Sequence, residues 1–392
     1  MNPYEAAIVR NADWFIRRES RDGYVDAEGD EFYGLRGDAT LVGHSVSVRC
    51  YGGVLTGSND YFDSARRSLD WLAERQDPNG GWRSCSAFTL DGAQCVFEGF
   101  NTYRTISGDT RYDAVLIRAA DRMIAGTLDR NGGLLLPNII EIGEYAHFAL
   151  LAWKTTGEQR FRDAGETIVS HIERSFDEAE GMWRPFDSAK LRGDVMTRLL
   201  RPALRFSMMH VPLRGKLVAR FADHLAPLGV VANHPQYSMS LMDAEALLDT
   251  QDGSCDFPRL REQTRAAIAW AESNCPGPFP GSVVESRKAD RPSVYPIPII
   301  NDTRMAALWP TTCLLIAYCG MNDVAFKAKA SLAAEWILTM QSESGAFNNF
   351  QHPDGSKRPL QSGNVNFYAS MALWLYNELY ISTNSHSLRD GK

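Results

Sequence analysis

One short motif recurs six times along the chain, each time after a segment with helical periodicity. Its best copy is Gln76, Gly80 and Trp82, in the spacing Gln-xxx-Gly-x-Trp. The other copies begin at Gln341, Asp177, Glu19, Leu128 and Ser273. Self-similarity at a fixed period indicates a repeat architecture, in which each unit buries its apolar face against its neighbours. The chain is therefore expected to fold as one array of six units.

A second regularity lies between the motif copies. A glycine ends one helical segment, and an aromatic residue opens the next segment four residues later. The pairs are Gly57 with Tyr61, Gly108 with Tyr112, Gly157 with Phe161 and Gly253 with Phe257, and a looser pair is Gly320 with Phe326. Glycine at this place is typical of a left-handed helix C-cap, so each pair predicts a helical hairpin.

Together these signals predict twelve alternating helices. Six outer helices precede the motif copies, near 3–19, 60–76, 110–127, 158–175, 257–275 and 323–341. Six inner helices follow the copies, near 38–55, 91–106, 141–155, 236–250, 303–319 and 364–380, and they are apolar nearly all round. Pro310 lies inside the fifth inner segment, so that helix either kinks there or starts there. The prediction is an all-α fold, an (α/α)6 toroid that forms one domain over residues 1–392.

The fourth repeat carries an insertion, residues 184–235. From Arg184 to His224 it has nine Lys or Arg and three Asp, with Leu, Phe and Met residues among them. A basic amphipathic stretch on an acidic protein could be a lid, a contact with a membrane surface or a synthase complex through 184–224, or a groove wall for an anionic polymer. The simpler alternative is a surface helix pair with solvated charges.

Charge and cysteine usage limit the class of protein. The formal net charge is −7, which disfavours nucleic acid as a partner. No secretory signal and no apolar run long enough for a membrane span is visible. The seven cysteines are scattered and mostly stand in apolar helical segments, which indicates reduced core thiols and not a disulfide framework. A cytoplasmic location is expected.

The Gln-xxx-Gly-x-Trp unit resembles the QW motif of squalene–hopene cyclases. The hairpin spacing is similar to that of six-hairpin glycosidases and of related polysaccharide lyases and epimerases. Both resemblances imply the toroid, and they imply that Gln76, Trp82, Gln341 and Phe347 staple helix ends and have a structural role. The segment 141–187 also resembles the toroid of glucuronyl C5-epimerases, and similar toroids occur among exopolysaccharide-biosynthesis proteins.

The sequence lacks the motifs that cyclases and metal sites of toroid proteins use. The Asp-x-Asp-Asp string of class II cyclases is absent, and so is a diphosphate-binding Asp-Asp-x-x-Asp. No Cys/His spacing resembles a zinc ligand set, and Cys313 and Cys319 are six residues apart and point different ways on a helix. We therefore expect neither a metal nor a cofactor.

The candidate site residues lie near the starts of the inner helices, where a toroid admits its ligand. Charged residues are seldom fully buried unless they are paired or functional, although some here are expected to be helix caps, namely Asp38, Asp91, Glu141 and Asp302. Glu98, Glu144, His147 and Asp243 lie too deep in their helices for capping. The predicted catalytic residues are Glu144, Asp243, Glu98, His147, His44 and Asp302, and the predicted substrate-binding residues are Asp91, Arg304, Trp309, Tyr368, Asn364 and Asn366.

These residues favour a carbohydrate-active enzyme that acts on an oligo- or polysaccharide of surface or exopolysaccharide metabolism. Glycoside hydrolysis needs a carboxylic acid and a carboxylate, and carboxylates outnumber cations among the candidates. The alternative is a uronate lyase or C5-epimerase, in which His44, His147 or Tyr368 would take a proton and Arg304 would hold the charge. Two further alternatives are a terpenoid-cyclase-like enzyme, which would need a lumen lined by aromatics, and a non-catalytic glycan-binding toroid.

Overall fold

The computed structural model describes residues 1–26, 38–82, 93–135, 142–179, 181–183, 237–284, 305–358 and 361–382, with the backbone alone for 237–240. The basic insertion, residues 184–235, lies outside the described residues. So do three candidate site residues, Asp91, Asp302 and Arg304.

Outer and inner helices alternate along the described chain. The outer helices are α1 (Pro3–Arg17), α3 (Asn59–Glu74), α5 (Asp113–Thr127), α7 (Gln159–Ser175), α8 (Pro258–Asn274) and α10 (Lys327–Thr339). The inner elements are α2 (Ala39–Thr56), α4 (Ala93–Ser107), α6 (Ile142–Thr156), the 3₁₀ helix Tyr237–Thr250, α9 (Leu308–Met321) and α11 (Gly363–Tyr376). All twelve predicted segments are therefore helical, with ends that mostly fall within a few residues of those expected.

Local sequence fixes several of these ends. Asn2 and Glu5 form a capping box at the start of α1, and Asp38 caps α2 by accepting from the backbone N–H of Thr40, as predicted. Helix α9 begins at Leu308, so Pro310 lies in its first turn and causes no kink. This start is later than the predicted residue 303. The last helix leaves α-geometry at Tyr376 and continues as a π-helical turn, Asn377–Ile381.

The inner elements close into a ring. In ring order they are α2, α4, α6, the 3₁₀ helix, α9 and α11, and α11 packs back against α2. The closure is also made by hydrogen bonds between the two ends of the chain. The Asn2 amide donates to the side chain of Asn377 over 2.7 Å, and Asn11 donates to Asn366 over 2.9 Å. The chain is thus an (α/α)6 toroid.

The recurring motif forms the joint between neighbouring repeats. The Gln76 amide donates to its own Gly80 carbonyl and to the Val115 carbonyl on α5, and the Trp82 indole donates to Leu72. A Cβ on Gly80 would lie 2.1 Å from the Arg118 carbonyl oxygen, so only glycine allows this approach. The structural role of the motif is therefore confirmed.

The last copy makes the same joint with the first repeat. The Gln341 amide donates to Gly345 and to Ala7 on α1, each over 2.8 Å. A Cβ on Gly345 would lie 2.2 Å from the Arg10 carbonyl oxygen. The motif therefore both spaces the repeats and closes the ring.

Two details of the pattern differ from prediction. In the fifth repeat Gly281 has a positive φ and abuts the Leu332 carbonyl on α10, so the motif register Ser273-Gly277-Phe279 is wrong by four residues. Proline-rich sequence around the turn disguises the true register. Left-handed glycines end the hairpin helices at Gly57, Gly108, Gly157 and Gly253, as predicted, but in the looser copy Asn322 adopts that conformation in place of Gly320.

Short strands and buried thiols complete the scaffold. Strands β1 (Phe176–Asp177) and β2 (Met182–Trp183) pair antiparallel, and β3 (Ala306–Ala307), β4 (Phe350–Gln351) and β5 (Lys357–Arg358) form an antiparallel sheet in that order. The six described cysteines are buried free thiols, which agrees with the prediction. None of the described helices has the length and hydropathy that a membrane span requires.

Candidate active site in the lumen

Polar side chains from the inner helices gather in the lumen in two layers. The upper layer consists of His44 on α2, Cys95 on α4, Glu144 on α6 and Tyr368 on α11. The lower layer consists of Tyr51, Glu98, His147 and Glu245. Three of its members follow their upper-layer counterparts by three or seven residues on the same helices, which is one or two helical turns. Four of the six predicted catalytic residues, together with Tyr368, therefore lie in these two layers.

The upper layer is tightly drawn together. A ring nitrogen of His44, Sγ of Cys95 and a carboxylate oxygen of Glu144 all lie within 4.8 Å of one another, and all three residues are buried. The Tyr368 hydroxyl donates to Glu144 Oε1 over 2.9 Å. Because α6 and α11 stand opposite each other in the ring order, this hydrogen bond crosses the lumen.

His44 is buried completely and held by aromatic rings. Its ring stacks on Phe367 with centroids 4.2 Å apart and an interplanar angle of 8°, and it meets Tyr368 edge-on. Neither ring nitrogen has a hydrogen-bond partner among the described residues. Burial lowers the pKa of His44 to about 3, so its imidazole is neutral at physiological pH.

Glycines beside these residues let the inner helices approach closely. A Cβ on Gly99 would lie 2.4 Å from the Gly43 carbonyl oxygen, so α2 and α4 touch backbone to backbone. A Cβ on Gly143 would lie 2.4 Å from Asp243 Cα, which shows the same closeness between α6 and the 3₁₀ helix. These glycines are the chain neighbours of His44, Glu98 and Glu144. The small residues therefore bring the polar side chains within reach of one another.

The lower layer contains two interacting carboxyl groups. Glu98 is only 5% exposed, and its Oε2 has no hydrogen-bond partner among the described residues. Burial, and then the nearby charge of Glu245, raise the pKa of Glu98 well above its usual range. Burial and the charges of both carboxylates likewise raise the pKa of Tyr51. Two like charges in a dry site cannot easily coexist, so this pair is expected to hold a proton.

His147 belongs to an ion-pair network between α6 and the 3₁₀ helix. Its Nδ1 lies 2.7 Å from Asp249, which also pairs with Lys154 over 3.0 Å. Burial opposes protonation of the ring, but the charge and hydrogen bond of Asp249 outweigh it, and the pKa of His147 is raised above its ordinary value. Glu245 adds to this shift, so His147 also feels the lower-layer carboxyls.

Asp243, one of the predicted catalytic residues, contacts a neighbouring inner helix. Its Oδ1 accepts from the Gly143 backbone N–H over 3.2 Å. Gly143 is in the first turn of α6, where N–H groups lack helical partners, so Asp243 caps the neighbouring helix. Asp243 lies too deep in its own helix to cap that helix, but this does not prevent it from capping another one. Burial raises the pKa of Asp243 well above its usual range.

The predicted substrate-binding residues divide into two groups. Trp309 stacks on Tyr368 with centroids 6.0 Å apart, and neither its indole N–H nor the side-chain oxygen of Asn364 has a hydrogen-bond partner among the described residues. Asn366 is different, because its side-chain amide already makes hydrogen bonds inside the protein. Its oxygen accepts from Asn11 and from the Phe347 backbone N–H, and its nitrogen donates to the Phe347 and Ser362 carbonyls. We therefore leave Asn366 out of the proposed site, since its hydrogen bonds hold the ring closure.

Three lumen residues escape prediction from the sequence. Glu245 stands two positions after Asp243, and the sequence indicates only that it is a polar residue of the same helix. Cys95 has apolar neighbours, which favour a core thiol. Asp249 falls near the end of its helix, where an acidic residue is ordinary. The one signal that could have found Cys95 is its helical spacing to Glu98, which places both on one face of α4.

Comparison with known proteins supports the same architecture. No protein-family model matches the chain, and no curated protein sequence matches it. Among solved structures, the cellobiose 2-epimerase from Bacillus thermoamylovorans B4167 has a TM-score of 0.63 and 8% identity, covering 96% of this chain and 99% of its own. A D-mannose isomerase gives 0.62 and 10%, with 95% and 96% covered.

A third similar structure is the unsaturated glucuronyl hydrolase from Bacillus sp. GL1. Its TM-score is 0.59 at 12% identity, with 94% of each chain covered. At these identities the likeness establishes the fold alone. The chain therefore shares the (α/α)6 toroid fold of these solved structures, and only the residues of its own lumen bear on its chemistry.

Proposed function

We propose that this chain processes an oligo- or polysaccharide by general acid–base catalysis in its lumen, and that the reaction is glycoside hydrolysis. The observation that carries the proposal is the lower-layer pair Glu98 and Glu245. They come from two inner elements that are not neighbours in the ring order, and the charge of Glu245 acts on Glu98. Both are nearly inaccessible to bulk water.

The pair fits the division of labour that hydrolysis needs. Glu98 in its protonated form would donate to the glycosidic oxygen, while ionised Glu245 would take a proton from the attacking water. The water oxygen bonds to the anomeric carbon as the carbon–oxygen bond to the leaving sugar breaks. After product release, a proton passes from Glu245 back to Glu98, and the starting state is restored.

The surroundings support a catalytic lumen over a purely structural one. A non-catalytic toroid is expected to pair its deep carboxylates with internal Lys or Arg side chains. Asp249 does so with Lys154, but Glu98 and Asp243 have no such ion pair with any described residue. The acidic lining also disfavours the terpenoid-cyclase alternative, which requires aromatics in place of carboxylates. The three solved toroids compared above are named as a sugar hydrolase, an epimerase and an isomerase, and another solved protein of this fold is a type II terpene cyclase.

A second candidate is proton abstraction from a sugar carbon, as in a lyase, epimerase or isomerase. It is favoured by His147, whose pairing with Asp249 fixes the ring beside Glu245. An imidazole held in this way can accept a proton from carbon and return it. The expected cytoplasmic location and the exopolysaccharide setting stay predictions.

One experiment separates these chemistries. The protein is incubated in D₂O with a panel of oligosaccharides that includes uronate-containing chains, and the products are followed by NMR and by reducing-end assay. Hydrolysis produces new reducing ends without any unsaturated product. Epimerisation or isomerisation exchanges a carbon-bound hydrogen for deuterium without chain cleavage, and elimination produces an ultraviolet-absorbing unsaturated uronate.

The residues are tested with Glu98→Gln and Glu245→Gln, which keep size and remove the proton transfer. A matched control is Glu262→Gln, on the exposed face of α8. We expect turnover to fall at least about 100-fold in both lumen variants, which is the lower range for general acid–base catalysis, and to stay unchanged in the control. Full turnover in both lumen variants, or binding of a glycan without any turnover by the wild type, would show the proposal to be wrong.

A further inference from the structure

We propose that His44, Cys95 and Glu144 of the upper layer form a binding site for a divalent transition-metal ion, and that Zn²⁺ is the ion the site suits best. The three residues come from three successive inner helices, α2, α4 and α6. No short sequence motif could therefore show them as a ligand set. This site is separate from the acid–base pair Glu98 and Glu245.

The first support is the geometry. One atom from each residue lies within 4.8 Å of the others. Tetrahedral zinc with bonds of 2.0–2.3 Å holds its ligand atoms about 3.5 Å apart, so small side-chain rotations close the site. An imidazole nitrogen, a thiolate sulfur and a carboxylate oxygen are the three ligand types that zinc takes in proteins.

The second support is independent of the cluster. Both ring nitrogens of His44 lack a hydrogen-bond partner among the described residues, although its side chain is fully buried. A buried polar atom without a partner destabilises the folded protein. A metal ion bound to one nitrogen would use a lone pair to which no described protein group donates a hydrogen bond. A histidine with only a packing role would not need this polar edge.

The surroundings would orient the ligands. Stacking on Phe367 and the edge contact with Tyr368 fix the His44 ring plane. The Tyr368 hydroxyl donates to Glu144 Oε1 over 2.9 Å, an outer hydrogen bond of the kind that orients metal-bound carboxylates. Three protein ligands leave a fourth position for water or a substrate oxygen, as in catalytic zinc sites.

The test uses the purified full chain, loaded with Co²⁺ or Zn²⁺ and freed of excess metal by dialysis. We expect one equivalent of metal for each chain. The Co²⁺ form is expected to absorb in the near ultraviolet from the thiolate-to-cobalt transition and in the visible from a tetrahedral ion. Neither readout depends on a substrate, so failure here is distinguishable from failure of the hydrolysis proposal.

The variant Cys95→Ser should lose the thiolate absorption and bind metal at least about 10-fold more weakly, while Tyr368→Phe should weaken binding about 10–100-fold. The control is Cys50→Ser, since Cys50 is a buried thiol on α2 whose pKa burial raises to about 12. It should behave as the wild type. Circular dichroism tests whether each variant is folded. If Cys95→Ser or Tyr368→Phe does not fold, Glu144→Gln is measured in its place.

Two results would overturn the proposal. One is a wild-type protein that retains no metal after dialysis. The other is equal metal content and equal spectra in the wild type, Cys95→Ser and Glu144→Gln, because the metal would then lie elsewhere.

Discussion

Glu144 and Tyr368 form a hydrogen bond across the lumen, from the third inner helix to the sixth. The distance from the Tyr368 hydroxyl to Glu144 Oε1 is 2.9 Å, and both side chains are nearly inaccessible. Inner helices that stand opposite in a toroid have no shared backbone contact by which to set their spacing. Tyr368 and Glu144 therefore form a direct contact across the lumen at the upper layer.

The first prediction concerns this bond. Tyr368→Phe removes the donor and leaves a buried acceptor with one partner fewer, which is expected to cost about 1–3 kcal/mol of unfolding free energy. Urea denaturation of the metal-free protein measures it. Tyr61→Phe is the control, because Tyr61 donates over 2.7 Å to Asp13 at a partly exposed site and should cost less than about 1 kcal/mol. Equal losses in both variants would contradict the special position of the lumen bond.

The second prediction concerns the buried cation Arg49 on α2. Its guanidinium donates to Ser45, Ser64 and Ser68, and it lies 3.6 Å from Glu19. Burial lowers its pKa to about 10, and it still carries its charge at neutral pH. Arg49→Met removes the partner of three buried hydroxyls and is expected to cost about 3–5 kcal/mol.

The matched control for Arg49 is Arg67→Met. Arg67 pairs with the same Glu19 over 2.8 Å, but its side chain is 51% exposed. Exposed pairs contribute about 0–1 kcal/mol, so this variant should unfold almost as the wild type does. If thermal or urea unfolding ranks the two variants in the opposite order, burial does not govern the strength of these contacts.

Much of the scaffold can be predicted from the sequence, because helical periodicity and turn glycines are local signals. The spacing around Gly80 and Gly345 is enough to indicate a joint at the end of each repeat. The register of the fifth joint fails because Gly277 and Gly281 both fit the spacing, and only the contact with Leu332 distinguishes them.

The site is less predictable for a physical reason. Glu98 and His44 can be recognised because a charged or polar group in an apolar run is unusual. Their pairing with Glu245 and Cys95 cannot be recognised, because these two residues come from other repeats and meet them only after the ring closes. Asp243 shows the same limit, because it caps a helix to which it does not belong.

The third prediction is a pH dependence of stability that arises from Glu98. Its pKa is raised in the folded protein above the unfolded value of about 4.3, so the folded state holds the proton more tightly. As pH rises from the unfolded pKa to the folded one, the unfolded state loses its proton first, and wild-type stability falls. Each tenfold difference in the acidity constant of Glu98 between the folded and unfolded states changes the unfolding free energy by about 1.4 kcal/mol.

Glu98→Gln removes this dependence. The variant is expected to gain stability relative to the wild type as pH rises from 4 towards 8, even though its turnover is lost. Urea denaturation at pH 4, 6 and 8 follows the difference, with Glu262→Gln as the exposed control. A difference that is constant over this range would show that Glu98 titrates normally.

The fourth prediction concerns ring closure and compares two glycines with similar backbone angles. Gly345 and Gly57 have φ values of 90° and 71°, a left-handed conformation that costs a residue with a Cβ about 1–2 kcal/mol. A Cβ at Gly57 would meet nothing within 4 Å, whereas one at Gly345 would lie 2.2 Å from the Arg10 carbonyl oxygen on α1.

The unfolding free energy of Gly57→Ala should therefore fall only by this conformational cost. Gly345→Ala should lose more, because the last repeat must move away from the first and weaken the hydrogen bonds from Gln341 to Ala7 and from Asn11 to Asn366. Unfolding free energies give the comparison, and faster hydrogen exchange of the α1 amides in Gly345→Ala alone would locate the effect at the joint. Equal destabilisation with unchanged exchange would mean that the close approach to Arg10 does not hold the ring shut.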